Sequence, residues 1–390
     1  MKLGQAISRF MTPARIAAID TAISDRSCRG LAISGLAGSA PAAVIASLKK
    51  RRDPALVIAN DADAAAYMYT DIAAIAGEGS VALFPSGYRR HIKYGQPDPP
   101  SQILRAETLE ALRRGSIRWI VTYPEAVAEK VPEPETMDRN CLAFATGDKC
   151  IRQDCIDRLR ELGFVSVDYV YEPGQFASRG SILDVFSYAN ELPYRIDFFD
   201  DEIDSIRTFN VETQLSEQRA NAATIVPANV QAQADGVSLL DTLAGATVVY
   251  CQSVAWTLSS IREVCATQLS LSVIESGEGE TDATQHLVDA EQFIARLKSF
   301  RTVQYGAASD TPDFRPSATV TIDCTPQVLY HKNFEIISKS FSELLAEGYS
   351  LFILSDNPLQ NERLRTIFAE RGDDIPFTPV ESTLHQGFVV

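Results

Sequence analysis

The stretch 171–209 constrains the fold of this chain more than any other part of it. Two runs rich in β-branched and aromatic residues are separated by a polar turn at 188–193, and the second run closes at Asp200 and Asp201. This is the pattern of consecutive antiparallel strands. A period of two sorts the second run into faces: Tyr194, Ile196 and Phe198 point one way, and Arg195, Asp197 and Phe199 the other. The first set is a buried face. The second mixes charges with a large aromatic, which is odd for a purely solvated face. It fits a protein-binding patch, because aromatics and arginine dominate interface energetics. It also fits a phenylalanine packed under a neighbouring loop, as most phenylalanines are. The pattern alone leaves both readings open.

Before and after this stretch the pattern changes to strands alternating with helices. Strands are expected over 30–34, 55–59, 81–84 and 117–122, with helices over 43–50, 62–76 and 103–114 between them, after a helical segment over 1–25. The alternation resumes from about residue 224, with strands over 247–250, 301–305 and 318–322 and helices over 237–243 and 255–268. Such alternation predicts a parallel sheet covered on both faces. Between these halves, a strand over 142–145, a helix over 152–162 and a strand over 165–171 open the antiparallel unit. The fold class is therefore α/β: a P-loop-like parallel-sheet domain, interrupted by a small α+β domain with an antiparallel sheet, and followed by a partial α/β unit. The divisions expected are 1–138, 139–222, 223–325 and 326–390. The last holds helices over 333–347 and 357–370, a strand over 350–354, and a strand beginning at 387.

The turn after the first strand lies where an ATP-binding loop would. A working loop is GxxxxGK[ST]: backbone amides cradle phosphates, the lysine reaches the β- and γ-phosphates, and the hydroxyl holds magnesium. Here Gly35 matches the first glycine, but Ala40 replaces the second, Pro41 the lysine and Ala42 the hydroxyl residue. Pro41 also has no N–H to offer. The later apolar strand ends in Cys251-Gln252-Ser253. It has no acidic pair to position metal or water. A degenerate nucleotide site and no cofactor are expected.

The remaining chemistry is sparse. The chain has 390 residues and a net charge of −15. That balance argues against wholesale binding to a nucleic-acid backbone. The seven cysteines are scattered and form no CxxC pair, which suits free thiols in a reducing cytoplasm. His91, His286, His331 and His385 are far apart, so neither a metal cluster nor a nucleophile–base pair is expected. The acidic run Asp197, Asp200, Asp201, Glu202 and Asp204 lacks the spacing and glycine of a calcium loop. It reads as a solvated turn with partners for Arg195 and Arg207. The segment 276–284 reads as an exposed loop. No leader peptide or membrane span is expected.

The run Pro-Gly-Gln-Phe-Ala-x-Arg-Gly-x-Ile-Leu-Asp-Val-Phe at 173–186 and the run Glu-Leu-Pro-Tyr-Arg-Ile-Asp-Phe-Phe-Asp-Asp-Glu-Ile-Asp-Ser-Ile-Arg at 191–207 resemble the UvrB-homology region of the bacterial transcription-repair coupling factors, Mfd. The resemblance is weaker but continuous from about Gly35 to the end. UvrB shares the region, but its active loop would keep Gly-Lys-Thr, and it carries a long Tyr-rich hairpin for insertion into DNA. The corresponding connection here is short and Pro-rich, with only Tyr88 and Tyr94. The resemblance implies a UvrA-recruiting module that links stalled RNA polymerase to excision repair, with no ATPase of its own. It implies UvrA contacts at Arg179, Arg195 and Phe199. Asp197, which lies between Arg195 and Phe199 on one strand face, is expected to hold an arginine when the partner is absent. It also implies that RNA polymerase and DNA are engaged only by further, C-terminal parts of a longer protein, of which this chain would be a monomeric amino-terminal piece. The alternatives are an ATP-dependent UvrB-like enzyme that verifies damage, or a scaffold that restrains a motor.

Overall fold

The computed structural model describes residues 1–25, 30–48, 54–88, 98–133, 141–188, 190, 192–227, 236–276, 285–306, 312–331 and 333–390. Its largest element is a seven-stranded sheet. The spatial order is Ala318–Thr321, Gly30–Ser34, Arg301–Gln304, Val248–Cys251, Ala55–Ile58, Trp119–Thr122 and Val81–Leu83. Every pairing in it is parallel. Strands Val248–Cys251 and Ala55–Ile58 are apolar along their whole length, and Val248–Cys251 and Trp119–Thr122 are buried at every position. That is the signature of a parallel sheet covered on both faces. The sheet takes strands from both sides of the antiparallel stretch, so the small unit is an excursion from one α/β body.

Capping explains several boundaries. Asp61 accepts from the Ala64 amide to start helix Ala62–Ala76, and Gly77 follows its end with a positive φ. The N-terminal helical segment is two helices, Leu3–Phe10 and Pro13–Ser24. Thr12 breaks it and caps the second by accepting from the Arg15 amide, with Pro13 in the first turn, where a missing N–H costs nothing. Helix Ala40–Ser47 begins three residues before the sequence places it and takes Ala40, Pro41 and Ala42 into its first turn. The reason is again proline, which suits that turn.

At the edge of the large sheet, the buried Glu129 carboxylate is gripped by Arg105 at 3.1 Å and by the Gly87 amide at 2.9 Å, and accepts from the Ser86 hydroxyl. Burial pushes its pKa up, against the pull of Arg105 and these donors. This fixes one root of the short Pro-rich connection. Residues 89–97, with His91 and Tyr94, lie outside the described residues, as does most of the expected loop at 276–284.

The six-stranded sheet of the small unit runs Ser216–Ala220, Glu202–Phe209, Tyr194–Phe199, Ile182–Val185, Gln175–Arg179 and Val165–Ser166. Only its outermost pair is parallel. The first apolar run is itself a hairpin turning at Gly180 and Ser181. The strand expected over 165–171 stops at Ser166; the rest becomes a loop over the sheet. The turn at Asp200 and Asp201 is a two-residue hairpin, with Asp200 at φ 53°, a conformation that aspartate tolerates. One sheet face packs Phe176, Leu183, Val185, Ile196, Phe198, Ile203 and Ile206 against Ile156 and Leu159 of helix Arg152–Glu161. A separate two-stranded ladder, Leu142–Ala145 with Ala222–Ile225, adds Phe144, Ala223 and Ile225 to that core.

The C-terminal unit carries helices Phe334–Ala346 and Pro358–Arg371 and a parallel pair, Phe352–Leu354 with Thr378–Val380. Its last strand, Phe388–Val389, pairs antiparallel with Thr325–Pro326. No helix among the described residues is long and apolar enough to cross a membrane.

Candidate partner-binding face and the altered nucleotide loop

The second face of the small sheet is built in rungs. Ala177, Asp184, Arg195, Arg207 and Arg219 face one another across five strands. The next rung holds Arg179, Ile182, Asp197 and Ser205. Phe199 lies two residues beyond Asp197, opposite Glu202 at the hairpin end.

Half of this face is covered. Val170, Ala177, Phe186 and Phe209 form a small apolar cluster under the loop that follows Ser166, with Val167 and Val211 at its margin. Asp184 is fully buried there, and it binds two arginines. Arg195 makes a two-point contact, Nε to Oδ1 at 2.8 Å and Nη2 to Oδ2 at 2.9 Å. Arg179 donates to Oδ2 at 2.6 Å. Arg195 also donates to the Gln214 carbonyl at 3.0 Å and lies 4.4 Å over the Phe209 ring. Its side chain is only 16% exposed. The hydrogen bonds it donates to Asp184 hold its pKa above the ordinary arginine value, against the opposing effect of burial. Arg179 is 37% exposed and lies 4.5 Å over the Tyr169 ring.

The uncovered half carries Phe199, 75% exposed. Of the two readings of this residue, burial under a loop is excluded. The odd mixture of residue types on one strand face now has a physical cause: the Arg195 end lies beneath a loop and the Phe199 end does not. One expectation needs correction. Asp197 holds neither arginine; it accepts from the Ser181 hydroxyl at 2.8 Å. Asp184 does the holding, because it sits directly across from Arg195 in the ladder. The sequence carried a signal for it, an acid in the apolar run Ile-Leu-Asp-Val-Phe. Tyr169, half exposed and against Arg179, was also missed.

The structure places Gly35, Ala40, Pro41 and Ala42 in one strand–turn–helix, and it gives each a packing role. Gly35 has φ +75°, and a Cβ there would come 2.3 Å from the Ile322 carbonyl oxygen. Ala40 and Ala42 are buried in the main core. Pro41 occupies the first helical turn. The amide of Ser39, which would face a phosphate in a working loop, donates to the Gln386 carbonyl at 3.2 Å. At the end of strand Val248–Cys251, which Arg301–Gln304 separates from Gly30–Ser34 in the sheet and where metal-positioning acids would be, Cys251 is buried against the Thr257 hydroxyl at 3.3 Å. Burial pushes its thiol up to about 11. Gln252 accepts from the Asn60 amide at 3.1 Å. Among the described residues, no group of three or more His, Cys, Asp or Glu side chains could hold a metal ion.

The architecture is an α/β body with an inserted antiparallel unit, and residues 142–230 match the family model described as UvrB interaction domain. The chain is similar to the N-terminal, UvrB-like region of transcription-repair coupling factors. It is 29% identical over 197 residues to the Escherichia coli (strain K12) transcription-repair-coupling factor, covering 50% of this chain and 17% of that protein. It is 31% identical over 151 residues to the Haemophilus influenzae one, covering 38% and 13%. It is 27% identical over 217 residues to UvrABC system protein B of Acinetobacter baylyi, covering 51% and 32%. The match thus spans less than a fifth of those coupling factors.

Proposed function

We propose that this chain is a protein-docking module of transcription-coupled repair, and that it recruits UvrA through the small antiparallel unit. The observation that carries the reading is Phe199. It is a large aromatic, 75% exposed, on the same face as two arginines that Asp184 already holds in place. An exposed aromatic anchor beside pre-positioned arginines is the composition of an interface hot spot. It lies within the residues that match the UvrB interaction domain. Arg179 and Phe199 supply direct contact, the first to carboxylates on the partner and the second to an apolar pocket. Arg195 reaches the partner with its uncovered edge and otherwise keeps the face in shape. The domain divisions at 138, 222 and 325 belong to this reading, with UvrA engaged by the second division only.

The same reading makes the module non-catalytic. The loop lacks the lysine and the hydroxyl that phosphoryl transfer needs, and its leading amide is engaged with Gln386. This weighs against the UvrB-like enzyme. RNA polymerase and DNA would be engaged by other parts of a coupling factor. The test is the affinity of the chain for purified UvrA, measured for the native protein and for Arg179→Glu. Strong binding that the variant loses supports the reading; equal binding by both, or none by the native chain, contradicts it.

A further inference from the structure

We propose that the altered nucleotide loop is a receptor for the chain's own segment Leu384–Phe388, and that this contact is a releasable latch fixing the C-terminal unit on the parallel-sheet body.

Ser39 of the loop and Asp71 and Tyr67 of helix Ala62–Ala76 supply polar and stacking contacts to the segment. Ser39 holds Gln386 at two points: its amide donates to the Gln386 carbonyl at 3.2 Å, and its hydroxyl accepts from the Gln386 amide at 3.0 Å. Asp71, buried on helix Ala62–Ala76, accepts from the His385 amide at 2.8 Å and is hydrogen-bonded by the Ser39 hydroxyl. One turn earlier on that helix, the Tyr67 ring stacks on the His385 imidazole, with centroids 3.3 Å apart and planes at 11°. Close approach completes the fit. Gly38 has φ +53°, and a Cβ there would lie 2.5 Å from the Gly387 carbonyl oxygen. Phe388 then packs on Phe10 at 5.1 Å.

The chemistry of the loop matches this occupant. A loop amide at a helix start serves an anionic phosphate when a lysine and a metal balance the charge. A peptide carbonyl is a neutral acceptor and needs neither. Ala40, Pro41 and Ala42 remove the cation, the metal ligand and one donor, and the amide of Ser39 is what a single carbonyl uses. The site is also sensitive to release. Its polar contacts concentrate on Ser39 and Asp71, and the stacked pair lies at the surface, where Tyr67 is about half exposed. Local opening of such a segment costs less than opening a core strand.

Hydrogen exchange on the full 390-residue chain tests the latch. In Tyr67→Ala and in Gly38→Val, the amides of His385 and Gln386 should exchange at least about tenfold faster, while those of Gly30–Ser34 and Val248–Cys251 keep their protection. Gly245→Val, where a Cβ meets nothing within 4 Å, should change neither. If Gly38→Val fails to fold, Tyr67→Ala decides alone. Unchanged exchange at His385 and Gln386 in a folded variant overturns the proposal. Deprotection of the same amides by millimolar pyrophosphate in the native chain also overturns it, because the loop would then be an anion site that the segment only borrows.

Discussion

The Arg195 guanidinium lies flat against the Asp184 carboxylate, with its Nε and Nη2 donating to separate oxygens at 2.8 and 2.9 Å. Arg179 shares one of those oxygens. One buried acid thus sets the position of two cations on a chain whose net charge is −15. Removing that acid strands both. Asp184→Ala should cost about 3–5 kcal/mol, the usual penalty for breaking a buried pair from one side. Urea denaturation monitored by tryptophan-independent circular dichroism is the check; a loss below about 1 kcal/mol would mean the pair is not buried in solution.

Arg179 separates charge from structure, because its side chain is 37% exposed. Arg179→Glu should weaken UvrA binding more than Arg179→Ala, since it adds repulsion to the lost contact. The difference between the two variants should shrink as salt rises toward 1 M, where the Debye length is about 3 Å. Affinities measured at low and high salt test this; equal losses for both variants would remove charge from the account.

No binding of magnesium-ATP is expected by isothermal titration. The loop has Pro41 and Ala42 where a cation and a metal ligand would stand, and Ser39 is engaged with Gln386. A micromolar dissociation constant, abolished by EDTA, would contradict the reading of the loop.

Asp71 gives a pH dependence with a definite sign. Burial raises its pKa above the ordinary carboxylate value, against the opposing hydrogen bonds from Ser39 and the His385 amide and the charge of His385. The folded state therefore holds the proton more tightly than the unfolded one. The stabilising contribution is full below the unfolded pKa and is lost as pH rises through the folded one. Asp71→Asn keeps an acceptor for the His385 amide without the charge. It should flatten the fall in stability that begins as pH rises above the ordinary carboxylate value, followed by urea midpoints; an unchanged slope would remove Asp71 as its source.

Much of the architecture was legible because it is local. Helix Ala62–Ala76 follows from its Asp61 cap and Gly77 stop, and the strand Gly30–Ser34 from an apolar run before a glycine. The exposed aromatic was legible as an anomaly on an alternating strand, though alternation could not say which half of the face a loop would cover. Asp184 was legible only as an acid in an apolar run; its role was not, since an acid in a strand reads as an outward residue until the loop after Ser166 and Gln214 are known to lie over it. Ser39 and Gln386 are 347 residues apart in sequence. A contact between main-chain groups at that separation leaves no trace in residue types beyond the small side chains that permit it.

The central claim is tested most directly by Phe199→Ala, with UvrA affinity and thermal melting measured on the same sample. An aromatic that is 75% exposed contributes little to folding, so melting should correspond to a change within about 0.5 kcal/mol. Affinity should fall by about thirtyfold, the effect of losing roughly 2 kcal/mol at a hot spot. Native melting with UvrA binding unchanged would contradict the account, because the exposed anchor would then have no part in docking.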